Sequence, residues 1–281
     1  MQVIERTAEL AAVLATEEAR GCARGLVATM GALHDGHASL VELAATDCDT
    51  VWVSVFVNPL QFGPEEDLAR YPRQLEDDLT VAEKAGASVV FVPTVEEMTP
   101  ADARTRVRVS GVGEVLEGAS RPRHFEGVAT VVAKLLAMTR PQRAYFGEKD
   151  FQQLVVVRRL TTDLSFPVEV VGCPTVRDVD GVALSSRNRY LSADERAAAA
   201  VLYRALRAGA AAILAGEADP CQVRELMGAI IDAETLVSLD YAEVVDQTNL
   251  ATPARLSGRL RLLVAAQVGA TRLIDNLGLR Q

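Results

Sequence analysis

The sequence predicts an α/β protein: a doubly wound parallel sheet followed by a smaller α+β C-terminal domain. Three observations predict it. Short apolar, β-branched runs alternate with helical stretches over the first part of the chain, the pattern of a parallel sheet. The run TVWVSVFV at Thr50–Val57 is apolar throughout, as a strand covered on both faces must be. Beyond about residue 175 the alternation stops, and two helical stretches lead into three strand-like segments. The 281 residues, 49% hydrophobic and 24% charged, are enough for one large or two smaller domains. The boundary is placed between a domain of residues 1–175 and one of residues 176–281.

Ala8–Arg20 is rich in Ala, Leu and Glu and reads as a helix; Leu26–Thr29 is the first strand. A glycine-marked turn leads to a helix starting near His37, with Leu40, Val41, Leu43 and Ala44 as its apolar positions. Thr50–Val57 stops at Asn58-Pro59, where proline cannot continue the ladder. Leu60–Tyr71 reads as loop, Pro72–Gly86 as an amphipathic helix and Ser88–Val92 as a strand. A strand is expected at Arg106–Val109, then loop over Gly111–Arg123, a helix at Phe125–Thr139 and a strand at Arg143–Phe146. The next helix is Asp150–Asp163, with Asp150 as its N-cap. Val168–Val171 closes the first domain's strands. Ser192-x-x-Glu195 is a capping-box signature for an Ala-rich helix reaching about Gly216. Pro220–Ala233 is helical. Leu239–Val245, Arg259–Val268 and Thr271–Asn276 are strand-like, with Gly269-Ala270 as the turn of a hairpin.

The net charge is −9 and the basic residues are scattered, so nucleic acid is not expected as a partner. A local basic pocket for an anionic nucleotide remains compatible with that charge. No signal peptide and no apolar run of membrane-spanning length is expected. Cys22, Cys48, Cys173 and Cys221 form no C-x-x-C pair. They read as reduced thiols of a cytoplasmic protein.

The stretch Val27–Leu43 organises the chemistry. It places His34 and His37 around Gly36 at the mouth of a helix, and the chain has only three histidines. Gly31 and Gly36 allow tight turns. A helix N-terminus with two imidazoles suits a polyphosphate. Two other readings stand beside this one: surface turn histidines, or part of a metal site that lacks further Cys or His ligands nearby. The H-x-G-H pattern resembles the signature of the nucleotidylyltransferase superfamily. The loops beginning at Met30, Asn58 and Gly147 follow strands and should converge on one crevice. There Gly147-Glu148-Lys149-Asp150 offers a lysine, with Gln153 one turn on. Leu184-Ser185-Ser186-Arg187-Asn188 offers hydroxyls and a guanidinium, and Asn58, Gln61 and Tyr71 offer neutral hydrogen-bonding groups. A helix-start charge pair, a polar interdomain turn and plain loop are the respective bland readings. Together these groups supply what adenylation of a hydroxylated acid needs.

With TMGALHDGH, FVNPLQFGPEEDLARYPR, SRPRHFEGVATVV, FGEKDFQQL and VRDVDGVALSSRNRYLS in order, and GRLRLLVA at Gly258–Ala265, the sequence resembles the pantoate–β-alanine ligase family. The resemblance implies a Rossmann-like first domain, a C-terminal lid domain and a homodimer. It implies condensation of ATP-activated pantoate with β-alanine to give pantothenate, AMP and pyrophosphate, with Mg²⁺ accompanying ATP. By motif, Met30, Gly31, Ala32, Leu33, His34, Asp35, Gly36 and His37 fall in the first ATP segment, and His37 matches a proton-donor histidine. Gly147, Glu148, Lys149 and Asp150 fall in the second. Val176, Leu184, Ser185, Ser186 and Arg187 fall in the third. His34, His37, Lys149 and Arg187 are the expected catalytic groups. Gln61 and Gln153 match the glutamines that hold pantoate, with Asn58 and Tyr71 beside them. Arg121 and His124 match a basic loop near the active site or a subunit contact, and Asp77 and Asp78 an acidic pair linked to magnesium. Ala28 stands where the family usually has proline, Asp35 for a frequent glutamate, Leu184 for a frequent methionine, and Arg123 for a smaller residue. The alternatives are a nucleotidyltransferase acting on a phosphorylated substrate and a nucleotide-binding regulatory module. AMP release that depends on β-alanine separates them.

Overall fold

The structure is a computed structural model that describes residues 1–64 and 66–280. Its strands are β1 (Gln2–Ile4), β2 (Arg24–Thr29), β3 (Thr50–Val55), β4 (Val89–Phe91), β5 (Arg143–Gly147), β6 (Glu169–Cys173), β7 (Val237–Asp246), β8 (Arg259–Val268) and β9 (Thr271–Arg280). Its helices are α1 (Thr7–Ala19), α2 (Asp35–Asp47), α3 (Leu75–Ala85), α4 (Val95–Met98), α5 (Glu117–Ser120), α6 (His124–Thr139), α7 (Phe151–Asp163), α8 (Ala193–Ala198), α9 (Ala200–Leu214) and α10 (Pro220–Asp232). The chain divides into two compact units: Met1–Glu148 with Gln152–Pro174, and Thr175–Gln281 with Lys149–Phe151.

The first unit is a parallel sheet in the order β1-β4-β3-β2-β5-β6. From β2 the chain runs one way through β3 and β4 and then returns to β5 on the other side. This reversal is the switch point at which open α/β sheets bind ligands. The residues after β2, β3 and β5, including Met30 and Asn58, therefore leave the carboxyl ends of three adjacent strands. The two faces of β2 are covered differently. Gly25 faces Ala44 of α2, while Arg24, 1% exposed, turns to α1. Arg24 donates there to Glu17 at 2.7 Å and to the carbonyl of Thr139 at 2.9 Å, and Glu17 also accepts from the Trp52 indole. The α2 side is an aliphatic core of Val27, Leu40, Val41, Val53, Ala82 and Val90.

The second unit packs α9 and α10 onto one face of an antiparallel β7-β8-β9 sheet. Leu202, Leu206, Val223, Met227, Leu262 and Val264 meet in its core. The expected hairpin is present, with Val268 opposite Thr271. The capping box is complete, because Ser192 and Glu195 each bond the other's backbone.

The differences from expectation are local. β1 is a three-residue edge strand, too short to carry a period. Arg106–Val109 is not a strand; the Val107 N–H goes to the Thr130 hydroxyl at 3.0 Å rather than to a ladder. The motif helix begins at Asp35, two residues early, because His34 is itself the N-cap. Asp150 is not an N-cap but the last residue of a 3₁₀ turn, Glu148–Asp150, running straight into α7. The Ala-rich helix breaks at Ala199 into α8 and α9. Among the described residues, one helical run, Ala193–Leu214, is long and apolar enough to cross a membrane, where none was expected. Half of its most apolar stretch is buried within the protein, as in a core helix. All four cysteines are free.

Candidate active site

The turn after β2 is shaped by two consecutive left-handed residues, Gly31 at φ +80° and Ala32 at φ +51°. The second is costly for a residue with a Cβ, so something must hold it there. Asp78 does so. It is 1% exposed in the first turn of α3, and its carboxylate accepts from Ala32 N–H at 3.1 Å and Leu33 N–H at 2.7 Å. A carboxylate seated on successive backbone donors is a charge-assisted clamp. The clamp delivers the chain to His34, whose Nδ1 accepts from Gly36 N–H at 3.1 Å and caps α2. His37 sits one turn on, with the two imidazole centroids 4.2 Å apart. Gly36 lies inside the helix rather than in a turn, and only Gly31 of the two expected glycines uses positive φ.

Beside this turn, Gln61 is fixed from several directions. Its Oε1 accepts from Asn58 Nδ2 at 3.0 Å, and its Nε2 lies 2.9 Å from Met30 Sδ. Asn58, 2% exposed, also donates to the Gly127 carbonyl. Gly127 admits this approach because a Cβ there would stand 2.4 Å from the Leu60 carbonyl. The Gln61 carbonyl accepts from Arg121 Nη2 at 3.3 Å and from His124 Nδ1 at 2.8 Å. A carbonyl can only accept, so His124 carries its proton on Nδ1. Its Nε2 is then the acceptor facing Arg121 Nη1 at 3.2 Å, and the ring is neutral. Burial, and then the charge of Arg121, push the His124 pKa down to about 4. Burial opposes the charge of Glu66, but Arg121 holds that carboxyl below its ordinary value. Arg121 and His124 thus act on the backbone of Gln61. Tyr71 is 6% exposed and packs edge-on against Phe62, 5.8 Å between centroids.

The sign of the His124 shift sets a pH test. Neutral His124 stabilises the fold fully above its ordinary 6.5, and that contribution is lost as pH falls toward about 4. The melting temperature should therefore fall across this window, and His124→Gln should flatten that segment of the profile. An equally steep profile in the variant would remove the assignment.

The adjacent glutamines separate. Gln152, 4% exposed, accepts from Glu117 N–H and donates to the carbonyls of Val112 and Val115 at 2.8 and 2.7 Å. It is a strut for that loop, and Gln153 is the half-buried member of the pair.

In the second unit, Lys149 pairs with Asp150 at 3.3 Å and keeps a fifth of its side chain exposed. Val176 and Leu184 are joined directly, Leu184 N–H to Val176 carbonyl at 3.0 Å, and Arg177 bridges Ala183 next to them. This narrow ribbon ends at Ser185, which accepts from Arg187 N–H and caps the 3₁₀ turn Ser186–Tyr190. Ser186 is 8% exposed. Lys149, Ser185 and Asn188 line one small pocket of this unit.

The sequence profile of the pantoate-β-alanine ligase family matches residues 2–278. The chain belongs to the pantoate–β-alanine ligase family. The pantothenate synthetase of Moorella thermoacetica is 49% identical over 99% of this chain and 98% of its own. The crystal structure of pantothenate synthetase from Thermus thermophilus superposes with TM-score 0.94 at 48% identity, covering 99% of both chains. The ligase from Francisella tularensis, solved with β-γ ATP and β-alanine, aligns with TM-score 0.83 at 33% identity over 99% of this chain and 97% of that one. The protein is accordingly an enzyme of this ATP-dependent ligase family, with its Rossmann-like sheet.

Against the family, Ala28 lies inside β2 opposite Ser54, in a strand and not in the turn. Arg123 adopts φ +73° just before α6, a conformation in which a smaller residue is less strained. Asp77 and Asp78 differ in setting: neighbouring helical positions diverge, Asp77 is exposed, and the Asp78 carboxylate accepts from the Ala32 and Leu33 N–H groups. Among the described residues no cluster of three or more His, Cys, Asp or Glu could hold a metal. Sequence reading missed the clamping role of Asp78 and all of Gln152. Their partners are distant in the chain, and no local pattern announces them.

Proposed function

We propose that this ligase joins pantoate to β-alanine in two steps through an enzyme-bound pantoyl adenylate. In the first, a pantoate carboxylate oxygen attacks the α-phosphorus of ATP and pyrophosphate leaves. In the second, the β-alanine amine attacks the acyl carbon and AMP leaves. The observation that carries the reading is Gln61 in the family motif, its side-chain amide held by Asn58 and its backbone carbonyl by Arg121 and His124. A neutral amide suits the hydroxyls of pantoate, with Gln153 as its partner; a phosphorylated substrate would need more cations. His34, His37, Lys149, Ser185, Ser186 and Arg187 serve the phosphates, where fixed donors and cations stabilise the charge of the first transition state. Met30 to Gly36, Gly147, Glu148, Asp150, Val176 and Leu184 supply the surrounding ATP contacts. Asn58 and Tyr71 support the acid pocket, while Arg121 and His124 act through Gln61. The domain boundary falls near residue 175, and the later part acts as a lid over a water-sensitive adenylate.

Mg²⁺ would accompany ATP and offset the charge of its phosphates, with Asp77 and Asp78 as the acidic pair that the family links to it. The partners are ATP, pantoate, β-alanine and a second copy of the chain, in the cytoplasm, where the four free thiols stay reduced.

ATP and pantoate alone should yield bound adenylate and free pyrophosphate, and AMP release should require β-alanine. Gln61→Ala should weaken pantoate use far more than ATP binding, because the acid's hydroxyls lose their partner. Rapid-quench analysis with labelled ATP reads both. Pyrophosphate that appears only after β-alanine is added would point to a concerted route, and a raised ATP dissociation constant with unchanged pantoate use would misplace the acid pocket.

A further inference from the structure

We infer that Asp275 and Asn276, consecutive residues of β9, are positioning residues that hold Lys149 and the serine segment in their working places. The inference rests on the reading of Lys149 as a phosphate-directed group. Successive strand residues point to opposite faces, so one dipeptide can grip two segments. Pairing with β8 sets its register, Asp275 opposite Val264 and Asn276 opposite Leu263. Both residues are buried, 4% and 3% exposed.

Asp275 receives a two-pronged bond from Arg177, Nη1 at 2.6 Å and Nη2 at 2.8 Å. The same guanidinium lies 4.0 Å over the Tyr203 ring and donates to the Gly181 carbonyl at 2.9 Å. Arg177 and Ala183 form the bridge from which Leu184 and Ser185 project, so Asp275 fixes the base of the serine segment. Asn276 turns the other way. Its Oδ1 accepts from Arg261 Nε at 2.7 Å, and its Nδ2 donates to the Lys149 carbonyl at 2.8 Å. Arg261 in turn stacks 4.0 Å over Phe151 and is 5% exposed. The Lys149 backbone is therefore held by Asn276 and the residue two further on by Arg261. Asp275 itself lines the pocket with Lys149 and Ser185. A lysine stem is flexible, and anchoring its backbone limits where the charge can go. Misplacement by about 1 Å can cost about 10²-fold in rate.

Asn276→Asp tests this, since it keeps an acceptor for Arg261 and removes the donor to Lys149. It should slow pyrophosphate formation from ATP and pantoate about tenfold or more. In a Lys149→Ala background the same change should cost nothing further, because the group it positions is gone. A merely structural role would instead multiply with Lys149→Ala. Arg261→Lys, which loses the planar stack on Phe151, should behave like Asn276→Asp and carries the comparison should that variant fail to fold. A normal first step in folded Asn276→Asp and Arg261→Lys, or losses that multiply with Lys149→Ala, overturn the inference alone. A first step untouched by Lys149→Ala overturns it together with the reading on which it rests.

Discussion

Replacing Lys149 by alanine should slow pyrophosphate release in a single turnover without β-alanine by about 10²–10³-fold, or about 2.7–4 kcal/mol, the scale of one preorganised transition-state donor. The folded state should hardly notice. The ion pair with Asp150 is partly exposed, and pairs of that kind contribute about 0–1 kcal/mol. Lost rate with an unchanged melting temperature is therefore the expected signature. A normal first step with a slow second step would move the lysine's role to amide formation.

Asp78→Asn should show the opposite balance, a large loss of stability with a loss of first-step rate. Two buried N–H groups, of Ala32 and Leu33, depend on this carboxylate. The amide can accept from one and must turn an N–H toward the other. Losing a charged acceptor from a buried donor leads us to expect a cost of about 2–4 kcal/mol. Ala32, no longer held at φ +51°, would relax and carry His34 and His37 with it. Thermal melting and pyrophosphate release should fall together, while the exposed neighbour change Asp77→Asn should stay within about 0.5 kcal/mol. An unchanged melting temperature with a shifted Mg²⁺ requirement would make Asp78 a metal ligand rather than a clamp.

These two residues mark what could be read in advance. Lys149 stands at a strand end in a short run of distinctive residues, and the alternation of strands and helices placed it there. The parallel sheet, the terminal hairpin and the capping box were legible for the same reason: each is a local period or a short fixed spacing. Asp78 was visible as one of an acidic pair, but its job was not. The Ala32 amide it holds is 46 positions away.

The sequence by itself determined the parallel sheet followed by a smaller α+β part, the aliphatic cores, the family and the residue types brought to ATP and to a hydroxylated acid. Hydrophobic period and motif spacing are properties of neighbours along the chain. Only the tertiary structure decided that His34 caps α2, that Gln152 is a strut while Gln153 is not, that His124 is neutral beneath Arg121, and that Asn276 holds the carbonyl of Lys149 from 127 positions away. Those outcomes depend on which buried donor meets which acceptor. Desolvation enforces that pairing after the chain has folded, and it leaves no trace in local order.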